Sequence, residues 1–243
     1  MRFALNGVIV SDEDATLIRW CGLNDLYRPV CPQDVRDAIA QTPAGEELII
    51  EVNSGGGQLY NGFEIYSVLQ GAQCPTRAEI QSIAGSAASV ACVGADTVSC
   101  TAVGQVMIHL PSIVTEGNEP AHKQSIGLLR AATDSIINAY AAKCGDRITR
   151  DALRAKMAAE TFLTAQQALE IGLVDEIIGA GSENITPAQV YNSMGGWAAC
   201  GVLPDLSRLR AAYAAAHAPG GAHEEPDIER VQAQLALELA RII

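Results

Sequence analysis

From Phe3 to Ile178 the chain alternates short β-branched runs with helix-like segments, and that alternation leaves few folds open. "FALNGVIV" and "ELIIEV" read as strands bounded by turn residues. Between them, "CPQDVRDAIAQTPAGE" reads as a helix with Pro and Asp at its front and Gly behind. "NSGGG" at 53–57 follows the second strand, and "NGFEIYSVLQG" then sets Ile65, Val68 and Leu69 at helical spacing. "TRAEIQSIA" is a further strand, "SVACVGA" a short buried helix, and "TVSCTA" and "QVMIHL" two more strands. Residues 120–143 read as one long helix with Leu128, Leu129, Ile136, Ile137 and Tyr140 among its apolar positions. "TRDALRAKMAAE" and "TAQQALEIG" are helices opened by Thr caps, and "LVDEII" closes the series as a strand. The pattern implies a layered α/β domain over residues 1–180. Residues 181–243 form an Ala/Gly/Pro-rich extension in which "HAPGGAHEEPD" reads as a break. The extension ends in an amphipathic helix, "IERVQAQLALELARII", whose ordinary role is to dock on its own domain or a neighbouring subunit.

Composition removes several classes of function. A chain of 243 residues, 49% of them hydrophobic, can bury an ordinary core without disulfides or structural metal. A net charge of −12 argues against a nucleic-acid partner, and no basic run offsets it. The seven cysteines are odd in number, scattered and without a C-x-x-C pair, which suits buried thiols in a reducing cytoplasm better than a disulfide framework or a zinc site. No segment approaches the roughly 20 apolar residues that span a bilayer. The start, "MRFALNGVIVSDED", reads as a strand rather than a signal peptide. The expectation is a cytoplasmic protein with no metal, no membrane and no nucleic acid.

Three features could carry chemistry. The first is "SIAGSAASVACVGAD", residues 82–96, with three serines among small side chains. With a strand ending at Ala84 and a helix starting near Ala88, Ser89 falls in the first helical turn, and the Val90 N–H could hold an oxyanion formed by its attack. Ser89 read plainly is a helix cap. Ser82 lies mid-strand and Ser86 within the turn, which makes both poorer nucleophiles, and the G-x-S-x-G elbow is absent. The second feature is His109, at the end of "QVMIHL", where strand ends deliver side chains to a cleft. His122 reads as solvated, and His217 and His223 lie in the extension. The third is the glycine run Gly55, Gly56 and Gly57, whose bare backbone permits close approach of another chain and lacks the residues of a phosphate loop.

In order along the chain, "VNSGGGQLYNGFEIYSVLQ", "IAGSAASVACVGAD", "VMIHLP" and "ETFLTAQQALEIGLVDEII" resemble the ClpP peptidase family, over about residues 5–178. In that family an N-S-P-G-G loop, an A-A-S-M segment, an M-I-H-x-P strand and an F-L-[ST]-A…G-L-V-D segment recur in the same order. The compact step from Ser89 to His109 and the "ETFLTA" form look most like the ClpP-related head-maturation proteases of tailed bacteriophages. The resemblance implies a ClpP/crotonase-like spiral of βαβ units, with the extension as a helical addition. It implies Ser89 as nucleophile, His109 as general base and Glu160 as the acid, with Asp151 and Asp175 as fallback carboxylates. Gly57 and Val90 would supply the oxyanion N–H groups, and Gly55 and Gly56 would line the substrate strand. No cofactor is implied.

By the same resemblance the long helix corresponds to the region where two rings meet, so a homo-oligomeric ring acting on polypeptide is expected. The substrate would be a capsid or scaffold protein. Two departures stand out: Gly55 replaces the family's Pro, and the chain begins almost at its first strand, which argues against a gate for an unfoldase ATPase. Three other readings remain at this point. One is a catalytically silent assembly protein of the same fold, the second a crotonase-like acyl-CoA enzyme, and the third a Ser–Lys peptidase using Lys123.

Overall fold

Parallel strands can pair only through crossovers long enough to hold a helix, and this chain supplies one between most successive strands. The structure is a computed structural model that describes residues 1–179 together with 206, 210, 211, 213 and 214. The first elements are β1 (Arg2–Leu5), β2 (Val8–Ile9), α1 (Asp12–Trp20), α2 (Asn24–Tyr27) and α3 (Pro32–Gln41). There follow β3 (Leu48–Ser54), β4 (Gly56–Gly57), α4 (Leu59–Gln70), β5 (Thr76–Gly85) and α5 (Ala87–Cys92). Next come β6 (Thr97–Thr101), β7 (Gln105–Ile108), α6 (Glu119–Cys144) and α7 (Arg150–Ala158). The series closes with β8 (Thr161–Thr164), α8 (Ala165–Ile171) and β9 (Glu176–Ile178).

The main sheet runs β1-β3-β5-β6-β9, all parallel. Strand β5 is long enough to pair twice. Its first half holds β6, and its last residues, Ile83 to Gly85, hold β7. Strand β8 then adds to β7 as the antiparallel member. The layered α/β class expected from the alternation is the observed one. The strand expected over "FALNGVIV" divides at Asn6 and Gly7: β1 joins the main sheet, while β2 leaves it to pair with the two glycines of β4.

Along β3, Leu48, Ile50, Val52 and Ser54 are buried and alternate with half-buried residues, as one covered face of a sheet requires. The core unites Leu48, Ile50 and Val52 with Ile80, Val98, Val106 and Ile108 from the other strands and with Ile65, Leu69, Val90, Ile136, Ile137 and Tyr140 from the helices. Burying each large aliphatic side chain contributes about 1.5–3 kcal/mol. Helix α6 joins this core only through its second half, from Ala132 onward. Its first half leaves Ile126 and Leu128 about half exposed.

A second apolar cluster gathers Val8, Val10, Ala15, Leu17, Ile18 and Tyr27 around α1, and Leu206 of the extension is buried in it. Tyr213 stacks edge-on to Trp20 with ring centroids 5.2 Å apart, and Arg210 donates to the buried Asp14 carboxylate at 2.6 Å. Part of the extension therefore lies on α1. The terminal helix expected over 228–243 is outside the described residues. No helix among the described residues is long and apolar enough to cross a membrane. Burial pushes the thiols of Cys31, Cys92 and Cys100 up to about 12, so they stay protonated.

Candidate active site

The carboxyl ends of β3, β5 and β7 open into a cavity of about 360 Å³ lined by Gly55, Gly57, Gln58, Ser86, His109 and Glu160, among others. Such crevices at the ends of parallel strands are where α/β sheets place ligands. The register explains why these residues meet. Gly85 of β5 pairs with Met107 of β7, and the Ser86 N–H donates to the Met107 carbonyl at 2.9 Å. One step beyond each strand, the Ser86 hydroxyl lies 2.6 Å from His109 Nε2.

This pairing corrects the expectation that Ser89 faces His109. Ser89 is buried, its hydroxyl donates to the Ser86 carbonyl at 2.6 Å and meets the Tyr140 hydroxyl at 2.7 Å, and it does not line the cavity. Ser86 sits in the strand-to-helix turn with φ 49 and ψ −123, a backbone conformation that non-glycine residues rarely adopt. It is half-buried and borders the cavity. The turn is therefore a nucleophile elbow in shape without the G-x-S-x-G sequence.

Small residues make room for it. A Cβ on Gly56 would lie 2.7 Å from the Gly85 carbonyl and 2.8 Å from Ser86 Cβ. One on Gly62 of α4 would lie 2.8 Å from the Ala87 carbonyl. The signal for Ser86 was present in the sequence: "AGSA" repeats the small-small-Ser-small pattern of "AASV" three residues earlier.

The glycine run is held from below. Ser54 is buried, its hydroxyl donates to the Gly7 carbonyl at 2.5 Å, and it accepts the Gly56 N–H at 3.1 Å. Gln58 N–H donates to the Ile9 carbonyl at 2.8 Å, so by the alternation of a β-ladder the Gly57 N–H points away from β2, and Gly57 lines the cavity. Val90, the other expected oxyanion donor, is corrected. Its N–H is engaged by the Ser86 carbonyl at 3.3 Å, and the N–H that follows Ser86 directly is that of Ala87. Val90 still lines the cavity.

Glu160 arrives by strand pairing. Ile108 opposes Thr161 in the β7–β8 ladder, and one more step sets Glu160 across from His109. Glu160 has φ 49, follows the end of α7, and is exposed at the cavity rim. No hydrogen bond joins it to His109 among the described residues. Burial pushes the His109 pKa below the ordinary histidine value, and the Glu160 charge pulls it partly back. The fallback carboxylates lie elsewhere. Asp175 accepts from Val98 N–H and from Lys143, and neither Asp175 nor Asp151 lines the cavity. Lys123 pairs with Glu119 on the exposed start of α6, which removes it as a base. No group of three or more His, Cys, Asp or Glu among the described residues is placed to hold a metal ion.

A half-buried serine in a strained turn, within hydrogen-bond distance of a histidine whose neutral form burial favours and close to the glycine-run backbone, is an arrangement suited to acyl transfer. Comparison with known proteins points the same way. Residues 38–181, more than half of the chain, match the Clp protease family. The chain belongs to the Clp protease family. It is 28% identical over 144 residues to the ATP-dependent Clp protease proteolytic subunit 1 of Salinibacter ruber, covering 57% of this chain and 60% of the relative. It is 30% identical over 142 residues to the ATP-dependent Clp protease proteolytic subunit of Porphyromonas gingivalis, covering 55% and 60%. The match to the subunit 1 of Protochlamydia amoebophila is 25% over 146 residues, covering 58% and 70%. The chain thus spans about 60% of the length of the first of these relatives. The parallel sheet with its crossover helices is the Clp protease fold, and the site described above lies within the matched segment.

Proposed function

We propose that this Clp-family chain is a serine endopeptidase that works through an acyl-enzyme. In this reading Ser86 attacks the peptide carbonyl and His109 Nε2 takes the proton, then returns it to the leaving amine. Water repeats the sequence to release the acyl group. The backbone N–H groups of Gly57 and Ala87 bind the oxyanion, and Glu160 favours the imidazolium that forms during attack. The observation that carries the reading is the 2.6 Å contact between Ser86 Oγ and His109 Nε2 at the mouth of a cavity. The test is hydrolysis of unfolded polypeptide and of fluorogenic peptides by the wild type beside Ser86→Ala and His109→Ala. Turnover lost in both variants supports the reading, and absence of turnover in the assembled wild type contradicts it.

A homo-oligomeric ring is part of the same proposal, supported by the half-exposed Ile126 and Leu128 on the projecting half of α6. The finer reading of the substrate is a capsid or scaffold protein cut during phage head maturation. The step from Ser to His no longer supports it as it did from Ser89, because from Ser86 the separation is 23 residues. The "ETFLTA" form of the late motif remains its support. Co-expression with capsid and scaffold proteins, with new termini mapped by mass spectrometry, tests it. A second reading is a catalytically silent assembly protein, favoured by the missing hydrogen bond between Glu160 and His109. It requires wild-type assembly with no turnover.

A further inference from the structure

Two hydroxyls remain that the proposed mechanism does not use, and both are buried beside its nucleophile. Ser89 is 2% exposed and Tyr140 1% exposed. The Ser89 hydroxyl spends its single proton on the Ser86 carbonyl at 2.6 Å, so the Tyr140 hydroxyl, 2.7 Å away, is the donor to Ser89. The result is a directed chain, Tyr140 O–H to Ser89 Oγ–H to Ser86 C=O. The same carbonyl also accepts the Ser89 N–H at 3.0 Å and the Val90 N–H at 3.3 Å, so the side-chain contact is the shortest of its three.

We propose that Ser89 and Tyr140 are positioning residues that clamp the peptide carbonyl of Ser86 and so hold the nucleophile in its strained conformation. The inference rests on Ser86 being the nucleophile. A residue at φ 49 and ψ −123 persists only where its surroundings over-determine it. The N–H contacts are those of any helix start and would form with Ser86 in a relaxed conformation as well. The hydroxyl chain differs, because Tyr140 is fixed from outside the turn by the buried half of α6. It anchors the carbonyl to a second element, and a chain of buried hydroxyls polarises along its length. Burial also pushes the Tyr140 pKa well above the ordinary tyrosine value, so the phenol keeps its proton and the direction of donation is fixed. The hydroxyl of Ser89 is thereby accounted for twice, as donor to the elbow and as acceptor from α6.

The experiment follows the rate at which a fluorophosphonate labels Ser86, together with kcat and KM on a fluorogenic peptide. It uses the full chain and the variants Ser89→Ala, Tyr140→Phe and the double variant, with Ser86→Ala as the control for the labelled residue. Ser89→Ala is expected to slow labelling and lower kcat about tenfold, with KM within about twofold and labelling still complete at long times. Tyr140→Phe is expected to cost about threefold. The double variant is expected to be no worse than Ser89→Ala, because Tyr140 acts through Ser89. Either single variant that folds is enough for the measurement. Wild-type labelling rates and kcat in the single variants, with only a lowered unfolding temperature, overturn the proposal and leave the pair a core contact. Labelling that survives Ser86→Ala but is abolished by Ser89→Ala overturns the Ser86 assignment itself. A wild type that takes no label overturns both.

Discussion

In the proposed mechanism His109 can act as a base only while it is neutral, and burial of its ring favours the neutral form. Its pKa lies below the ordinary value of 6.5, so kcat/KM is expected to stay level through neutral pH and to fall only as the pH drops below about 6.5. The Glu160 charge is the opposing influence, raising the His109 pKa. Glu160→Gln is therefore expected to move the acid limb to still lower pH. It is also expected to lower kcat about tenfold, less than the loss of a hydrogen-bonded triad acid would cause, since Glu160 acts here across space. A pH–rate profile of both proteins measures the two effects, and an acid limb moving upward in the variant contradicts the assignment. At this scale a strand end and an ordered motif in the sequence point to His109 and Glu160, and both line the cavity. The sequence did not separate Ser86 from Ser89. Both sit in the same small-residue pattern, and what distinguishes them is a positive φ at one and a buried hydroxyl partner at the other, neither of which a residue name displays.

The turn between β5 and α5 works because three other elements come close to it. β4 brings Gly56 against the Gly85 carbonyl, α4 brings Gly62 against the Ala87 carbonyl, and α6 brings Tyr140 to Ser89. Gly56→Ala is expected to strain a backbone at φ +107 and to press a methyl on Ser86. The cost should be on the order of 2 kcal/mol of stability, with most of the activity lost. Chemical denaturation and peptide turnover read both, and a variant with wild-type values of each contradicts the packing described. Most elements were legible from alternation and caps. Helix α1 was hidden because "SDEDATLIRW" shows an acidic face before an apolar one. Yet its Ser11 cap accepts the Asp14 N–H, and acids fill its first turn, which are helix-start signals in themselves. The break between β1 and β2 was hidden for another reason. Gly7 packs so tightly on Arg28 and Tyr27 that the chain must leave the main sheet there, and that neighbour is 21 residues away in one case and 20 in the other.

On the scale of the whole molecule, two surfaces carry expectations. Leu206 and Arg210 tie the extension to α1, where Arg210 and Gln58 hold the Asp14 carboxyl below the usual carboxylate range against the opposing effect of its burial. That contribution to stability is present at neutral pH and is lost as the pH falls through the lowered Asp14 pKa. Leu206→Ala is expected to cost about 2 kcal/mol, read by denaturant unfolding, and no change would mean the contact is not held in solution. If the proposed ring forms through this face, Ile126→Glu with Leu128→Glu is expected to split it while leaving the fold intact, as sedimentation velocity and circular dichroism would show. The Ser86 assignment is tested most directly by mapping a fluorophosphonate adduct by peptide mass spectrometry on the wild-type protein. The adduct is expected on Ser86, with none formed in His109→Ala; an adduct on Ser89, or none on the wild type, would contradict the site described here.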